Sequence, residues 1–150
     1  MASEESSFKV EFRKAIERVY VNSKVWPNSS EFVSGIPDIS VLHNGTFFGI
    51  EAKFVKTIPA RENTRLLSHE LSPLQYKFLQ DITTSGNTAG IVIGFPNSFL
   101  AIPFNLWPKG KTNISLAEAK HYKDLGLEFM KLKGVWSVSG TLEALHDRKQ

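Results

Sequence analysis

Asp38-Ile39-Ser40-Val41-Leu42-His43-Asn44-Gly45-Thr46-Phe47-Phe48-Gly49-Ile50-Glu51-Ala52-Lys53-Phe54 decides the fold. Two β-rich runs flank Asn44-Gly45, the dipeptide that best suits a type I′ turn because both central residues need positive φ. With Asn44 and Gly45 as the loop, His43 faces Thr46 and Leu42 faces Phe47. Continuing outward sets Asp38 opposite Glu51. Facing residues share a side of the sheet, with Cβ atoms about 4.5–5.5 Å apart, and Lys53, two residues on, points the same way. The other side carries Ile39, Val41, Phe48, Ile50 and Ala52, a core face.

Two facing carboxylates destabilise one another unless one is protonated or a cation lies between them. A hard divalent cation such as Mg²⁺ takes oxygen ligands, commonly one or two carboxylates with waters and substrate phosphate. A lysine alongside would stabilise phosphoryl charge or position the attacking water. The competing reading is a surface hairpin with an ion pair of little energetic weight. The flanking apolar runs make the hairpin an interior one and weigh against it.

Outward from the hairpin, the spacing predicts a helix over about 7–20, with Phe8, Phe12, Ala15, Ile16 and Val19 on one face. Glu11 lies along the edge of that stripe between Phe8 and Ala15, either solvated or turned toward an acidic site. Asn22 to Ser34 reads as loop. Val55 to Leu71 has no clear period and is long for a connection, which marks it as functional or mobile. Ser72-Pro73-Leu74-Gln75 opens a helix with Ser72 as N-cap and Gln75 closing a capping box. Its buried stripe is expected to be Leu74, Phe78, Leu79 and Ile82. Ala89–Phe95 and Ser98–Phe104 read as paired strands. Ser115-Leu116-Ala117-Glu118 opens a third helix, ending near Gly126, and a short strand at 135–138 and a helix from Thr141 follow. Helices alternating with strands in this order fit one α/β domain over residues 1–150, a mixed sheet flanked by helices.

The chain has 150 residues, 41% hydrophobic and 22% charged, enough to bury roughly two-thirds of its unfolded surface without a staple. With no cysteine, a disulfide scaffold, thiolate zinc site, iron–sulfur cluster or cysteine nucleophile is excluded. No apolar run approaches the roughly 20 residues of a membrane span, and the acidic start at Glu4 and Glu5 is unlike a signal peptide. A soluble intracellular protein is expected. The formal charge of +3 permits a nucleic-acid partner. Lys56, Arg61 and Arg65, and Lys109 and Lys111, are either phosphate contacts or solvated loop residues. His43, His69, His121 and His146 are scattered and expected on the surface. Trp26, Trp107 and Trp136 are expected in the core or at an interface. Gly110-Lys111-Thr112 lacks the upstream glycine of a phosphate-binding loop.

Gly35-Ile36-Pro37-Asp38, then twelve residues, then Glu51-Ala52-Lys53 resembles the PD-(D/E)XK nuclease signature. Within that superfamily, Phe48 to Lys53, Leu71 to Gln75 and Gly90 to Phe95 follow the order of RecU-type and archaeal-type Holliday junction resolvases. The VRR-NUC nucleases are similar too, through the Gly-x-Pro-Asp start and the Leu-Ser-x-x-Gln segment. The resemblance covers roughly residues 8–104. It implies a restriction-endonuclease-like fold and a metal-dependent DNA endonuclease, foremost a homodimeric Holliday junction resolvase. A repair nuclease acting on flaps or ends and a non-catalytic DNA-binding protein are the rivals. It further implies Asp38, Glu51 and the Ala52 carbonyl as ligands of Mg²⁺, with Mn²⁺ as a substitute. Lys53 would sit beside the scissile phosphate, Glu11 would be the helix-one acid, and Gln75 the glutamine near the site. DNA, contacted by Lys56, Arg61 and Arg65, is the implied partner. The implied setting is the cytoplasm of a bacterial, archaeal or phage-infected cell.

Overall fold

Asn44 and Gly45 both take positive φ, 50° and 75°, and the pairs from His43↔Thr46 to Ile39↔Ile50 hold the register that such a turn dictates. The computed structural model describes residues 3–29 and 34–147. In chain order its elements are α1 (Glu4–Val19), β1 (Lys24–Pro27), β2 (Ile39–His43), β3 (Thr46–Phe54), α2 (Pro73–Thr84), β4 (Thr88–Gly94) and β5 (Ser98–Pro103). A 3₁₀ turn at Phe104–Leu106, α3 (Leu116–Asp124), β6 (Glu128–Leu132), β7 (Val135–Trp136) and α4 (Thr141–Asp147) complete them. The seven strands form one sheet in sequence order. Neighbours are antiparallel except β3 and β4, which are parallel. Parallel neighbours need a long crossover, and α2 with the segment before it supplies one.

The helices cover both faces. Phe8, Phe12 and Ile16 of α1, with Leu142 and Leu145 of α4, pack on Val41, Ile50, Ala52, Val92 and Phe99. Leu79 and Ile82 of α2, with Ala119 and Tyr122 of α3, pack on Ile91, Ile93, Leu100 and Ile102. Strands β4 and β5 are buried along their whole length. That is why both read as unbroken apolar runs with no alternation.

Several expectations are corrected. Segment 55–71 is neither loose nor structureless. The Leu66 and Leu71 amides donate to the carbonyls of Ile114 and Thr112, and Leu66, Leu67 and Leu71 are buried. Anchoring by irregular backbone gives no period to read. Within the stretch expected as loop, residues 24–27 form β1, a short edge strand beside β2; residues 30–33 lie outside the described residues. Strand β6 also escaped, because Lys131 interrupts its apolar positions. Leu74 is 56% exposed because the inward row of α2 is offset by one and begins at Gln75. His69 and His121 are exposed, but His43 and His146 are half-buried beside Tyr20 and Phe48. Trp107 and Trp136 are buried, while Trp26 is exposed at the β1 edge. No helix among the described residues is long and apolar enough to cross a membrane.

Candidate active site

Strand β3 outlasts its partner. Its ladder with β2 stops at Ile39↔Ile50, while on the other edge Glu51, Ala52 and Lys53 continue to pair with Ile91, Val92 and Ile93 of β4. This leaves a gap along one edge of Glu51–Phe54. Asp38 fills it: its Oδ2 accepts the Ala52 N–H at 2.9 Å. The N–H and C=O of a strand residue point to the same neighbour, so the Ala52 carbonyl faces the same gap. Asp38 therefore lies beyond the ladder, bonded to the residue after Glu51.

The segment that delivers Asp38 is pinned from two sides. Asn28, just past β1, donates its backbone N–H to the Asp38 carbonyl at 2.8 Å. Its side-chain amide donates to the Pro37 carbonyl and to Ser40 Oγ at 3.0 and 2.6 Å. Gly35 sits at φ +84°, and a Cβ there would lie 2.7 Å from the Leu74 backbone at the start of α2. This glycine sets the distance between the Asp38 segment and the helix that carries Gln75. Gly35→Ala is expected to cost at least about 1 kcal/mol from backbone strain alone and to weaken divalent-cation binding, read by thermal melting and calorimetric titration. Wild-type values in both would free Gly35 of this role.

Glu51 and Lys53 point to the α2 side of the sheet and are only 1% and 4% exposed, with Lys53 Nζ 3.9 Å from Glu51 Oε2. Gln75 reaches down from α2. Its Nε2 donates to Glu51 Oε2 at 3.1 Å, while its Oε1 accepts the Ser72 N–H at 2.9 Å. The capping contact and the contact to Glu51 thus coexist in one side chain, and the cap holds the amide in the orientation that donates to Glu51. Glu51 Oε1 is buried without a hydrogen-bond partner. Burial, and then the charge of Asp38, push the Glu51 carboxyl up to about 9, against the opposing pull of Lys53 and Lys9.

Glu11 is not brought to this site. Its Oε1 accepts the Trp136 indole N–H at 2.9 Å and lies 3.8 Å from Lys131 Nζ. It lines a cavity with Phe8, Phe54 and Pro96. The residue of α1 that reaches the carboxylates is Lys9, with Nζ 3.0 Å from Asp38 Oδ1 and 3.7 Å from Glu5 Oε2. Burial acts to lower its pKa, but Asp38 and Glu5 outweigh that and raise it. Two positions apart on a helix are about 200° apart around the axis, so Lys9 and Glu11 border opposite edges of the apolar stripe. The stripe showed that α1 has a buried face, but not which edge lies over Asp38.

Lys56, Arg61 and Arg65 are exposed. Lys56 Nζ lies 3.3 Å from Glu4 and Arg65 Nη1 3.7 Å from Glu70, pairs of the kind worth little in water.

The donor set fits a hard divalent cation: a strand carbonyl and two carboxylates, one of which has a buried oxygen with no hydrogen-bond partner. Among the described residues no group of three or more His, Cys, Asp or Glu side chains is placed to hold a metal. A cation here would rely on Asp38, Glu51 and the Ala52 carbonyl, completed by water and substrate oxygen, the mixture Mg²⁺ tolerates well.

No protein-family model matches the sequence, and no curated protein matches it either. Among solved structures the chain is similar to Hjc, a Holliday junction resolvase from the archaeal hyperthermophile Archaeoglobus fulgidus. The TM-score is 0.51 at 17% identity, covering 77% of this chain and 98% of that one. At that identity the likeness is one of fold. This mixed sheet with helices on both faces is the α/β fold of a resolvase nuclease.

Proposed function

We propose that this chain is a divalent-metal-dependent endonuclease of the PD-(D/E)XK type that hydrolyses DNA phosphodiesters at four-way junctions as a homodimer. The observation that carries the reading is the buried Glu51–Lys53 pair beside Asp38 at the open edge of β3. Such a pair has no structural need to exist: an apolar pair of similar volume would be equally stable or more so. Carboxyl groups perturbed by burial and by a neighbouring charge in this way concentrate at functional sites.

Asp38, Glu51 and the Ala52 carbonyl would hold Mg²⁺. Bound there, the metal would polarise a phosphate oxygen and ease ionisation of the attacking water. In the reaction a water oxygen bonds to phosphorus, the bond to the leaving oxygen breaks, and that oxygen takes up a proton. The Lys53 ammonium, held out of water, stabilises the negative charge that builds on the phosphoryl oxygens. Gln75 fixes Glu51 Oε2 so that Oε1 is left to bind. The weak surface pairs of Lys56 and Arg65 exchange for DNA phosphates at little cost. The homodimer follows from the substrate: two symmetry-related strands require two sites.

The test is a panel of end-labelled substrates of shared sequence, a four-way junction, a flap and a linear duplex, each with Mg²⁺ or EDTA. Paired symmetric cuts in the junction, in Mg²⁺ alone, are expected. Preference for the flap or for duplex ends would replace the junction reading with a repair nuclease, and binding without cleavage would remove the enzyme. In the same assay without turnover, Arg61→Ala and Arg65→Ala should each lower junction affinity and reduce the salt slope by about one. Unchanged slopes in both would return segment 55–71 to a purely structural role.

A further inference from the structure

Asp38 has both carboxylate oxygens engaged. Oδ2 takes the Ala52 N–H, and Oδ1, the oxygen left to face a ligand, meets the Lys9 ammonium at 3.0 Å. An ammonium and a divalent cation that share one carboxylate oxygen repel one another, so metal binding at Oδ1 weakens the hold on Lys9. Lys9 also has somewhere else to go. Its side chain is 31% exposed, and Glu5, one turn earlier on α1, lies 3.7 Å away. It borders an open cleft of about 310 Å³ that Arg13, Asn28 and Asp38 also line. Lys9 and Arg13 are four residues apart and so share a face of the helix. That places two cations on the wall of a cleft opening beside the carboxylates.

We propose that Lys9 is a resident counter-cation of the site. In the metal-free chain it neutralises Asp38; a divalent cation displaces it; and the freed ammonium then holds a DNA backbone phosphate in the cleft beside Arg13. This rests on the nuclease reading and adds to it a DNA-phosphate contact on α1. The charges support the exchange. In the metal-free site the Asp38 carboxylate and the Lys9 ammonium offset one another at 3.0 Å. Metal entry adds two positive charges, and the phosphodiester supplies the negative charge that Lys9 can move to. A lysine suits the task because its flexible stem lets the head change partners, where the rigid fork of an arginine would not.

The test compares the wild type with Lys9→Gln and Lys9→Arg, first by calorimetric titration with Mg²⁺ alone, without DNA. Lys9→Gln should bind Mg²⁺ at least about tenfold more tightly, since a competing charge is gone, while Lys9→Arg, which keeps the charge and leaves Asp38 less readily, should bind it no more tightly than wild type. Binding to a four-way junction in Ca²⁺ should then weaken in Lys9→Gln, with a salt slope smaller by about one. Melting curves confirm that both variants are folded. If wild type binds Mg²⁺ and Lys9→Gln binds it equally well or less well, Lys9 is a fixed tether and the exchange is wrong, though the nuclease reading stands. If neither protein binds a divalent cation, the nuclease reading fails and takes this proposal with it.

Discussion

Lys53→Met is expected to lower single-turnover cleavage of a four-way junction by at least about 10²–10³-fold, the usual cost of losing one preorganised charge stabiliser, while Mg²⁺ binding persists. Methionine matches the length of the stem in a position that is buried along β3, so the packing against α2 survives. The carboxylates and the Ala52 carbonyl are untouched, and losing a nearby positive charge favours a cation bound to the ionised carboxylates. Glu51 would lose one of the two charges that lower its pKa, so the variant's Mg²⁺ binding should also shift to higher pH. Calorimetry with Mg²⁺ and a single-turnover assay on the same preparation separate the two roles. Cleavage within about tenfold of wild type would remove Lys53 from the chemistry.

The second large effect is on stability and runs opposite to the effect on activity. Glu51 is ionised in the unfolded chain above its ordinary value of 4.5, but in the folded, metal-free chain its carboxyl is raised to about 9. A group raised on folding contributes stability that is complete below the unfolded value and is lost as pH climbs through the folded one. The Glu51 contribution to metal-free stability should therefore decline between about pH 4.5 and pH 9. Glu51→Gln removes this titration and keeps a side-chain oxygen that can accept from Gln75. At pH 8–9 in EDTA the variant should be more stable by at least about 1 kcal/mol, a gain of roughly 2–4 °C for a chain of this length. Near pH 4.5 the two proteins should melt together. Millimolar Mg²⁺ should raise the wild-type melting temperature and leave the variant unmoved. Melts in which Glu51→Gln is the less stable protein at pH 8–9 would contradict the assignment of a strained, metal-ready carboxyl. Asp38→Asn is the less clean probe. It relieves Glu51 but turns an amide toward Lys9, so the two effects oppose one another.

The parts of this fold and site that were legible in the sequence are those where local chemistry determines geometry. Asn44-Gly45 admits one tight turn, and that turn fixes which residues face across β2 and β3. The Ser72 and Ser115 capping boxes, both present, mark helix starts because few other arrangements satisfy the first amides. Gln75 was legible as a cap from Ser72-Pro73-Leu74-Gln75, and the structure shows the same side chain donating to Glu51. A polar residue at the head of the inward row of α2 was a further sign, hidden by taking Leu74 for that position.

What was not legible depends on distant packing. The two edges of the α1 stripe carry Glu11 and Lys9, and only the placement of β7 and Trp136 decides that Glu11 turns away while Lys9 meets Asp38. Extending the hairpin ladder one step too far set Asp38 squarely opposite Glu51. In the folded chain Asn28 and Gly35 draw the Asp38 segment out of the ladder and against the Ala52 amide. Strand β1 lies at the sheet edge with one neighbour, and β6 pairs only briefly with β5 and β7; both are little buried, so their residues carry a weak pattern. The Lys133-Gly134 turn that joins β6 to β7, with φ of 52° and 77°, is of the same kind as Asn44-Gly45 but lacks the asparagine that makes such turns conspicuous.

The central claim is that the Asp38, Glu51 and Lys53 site hydrolyses DNA with a divalent cation. It is tested most directly by single-turnover cleavage of an end-labelled four-way junction, comparing wild type with Glu51→Gln in Mg²⁺ and in EDTA. Wild type should cut in Mg²⁺ and stop in EDTA, while Glu51→Gln, folded by its melting curve, should cut in neither. Cleavage by the wild type in EDTA, or equal cleavage by Glu51→Gln in Mg²⁺, would contradict it.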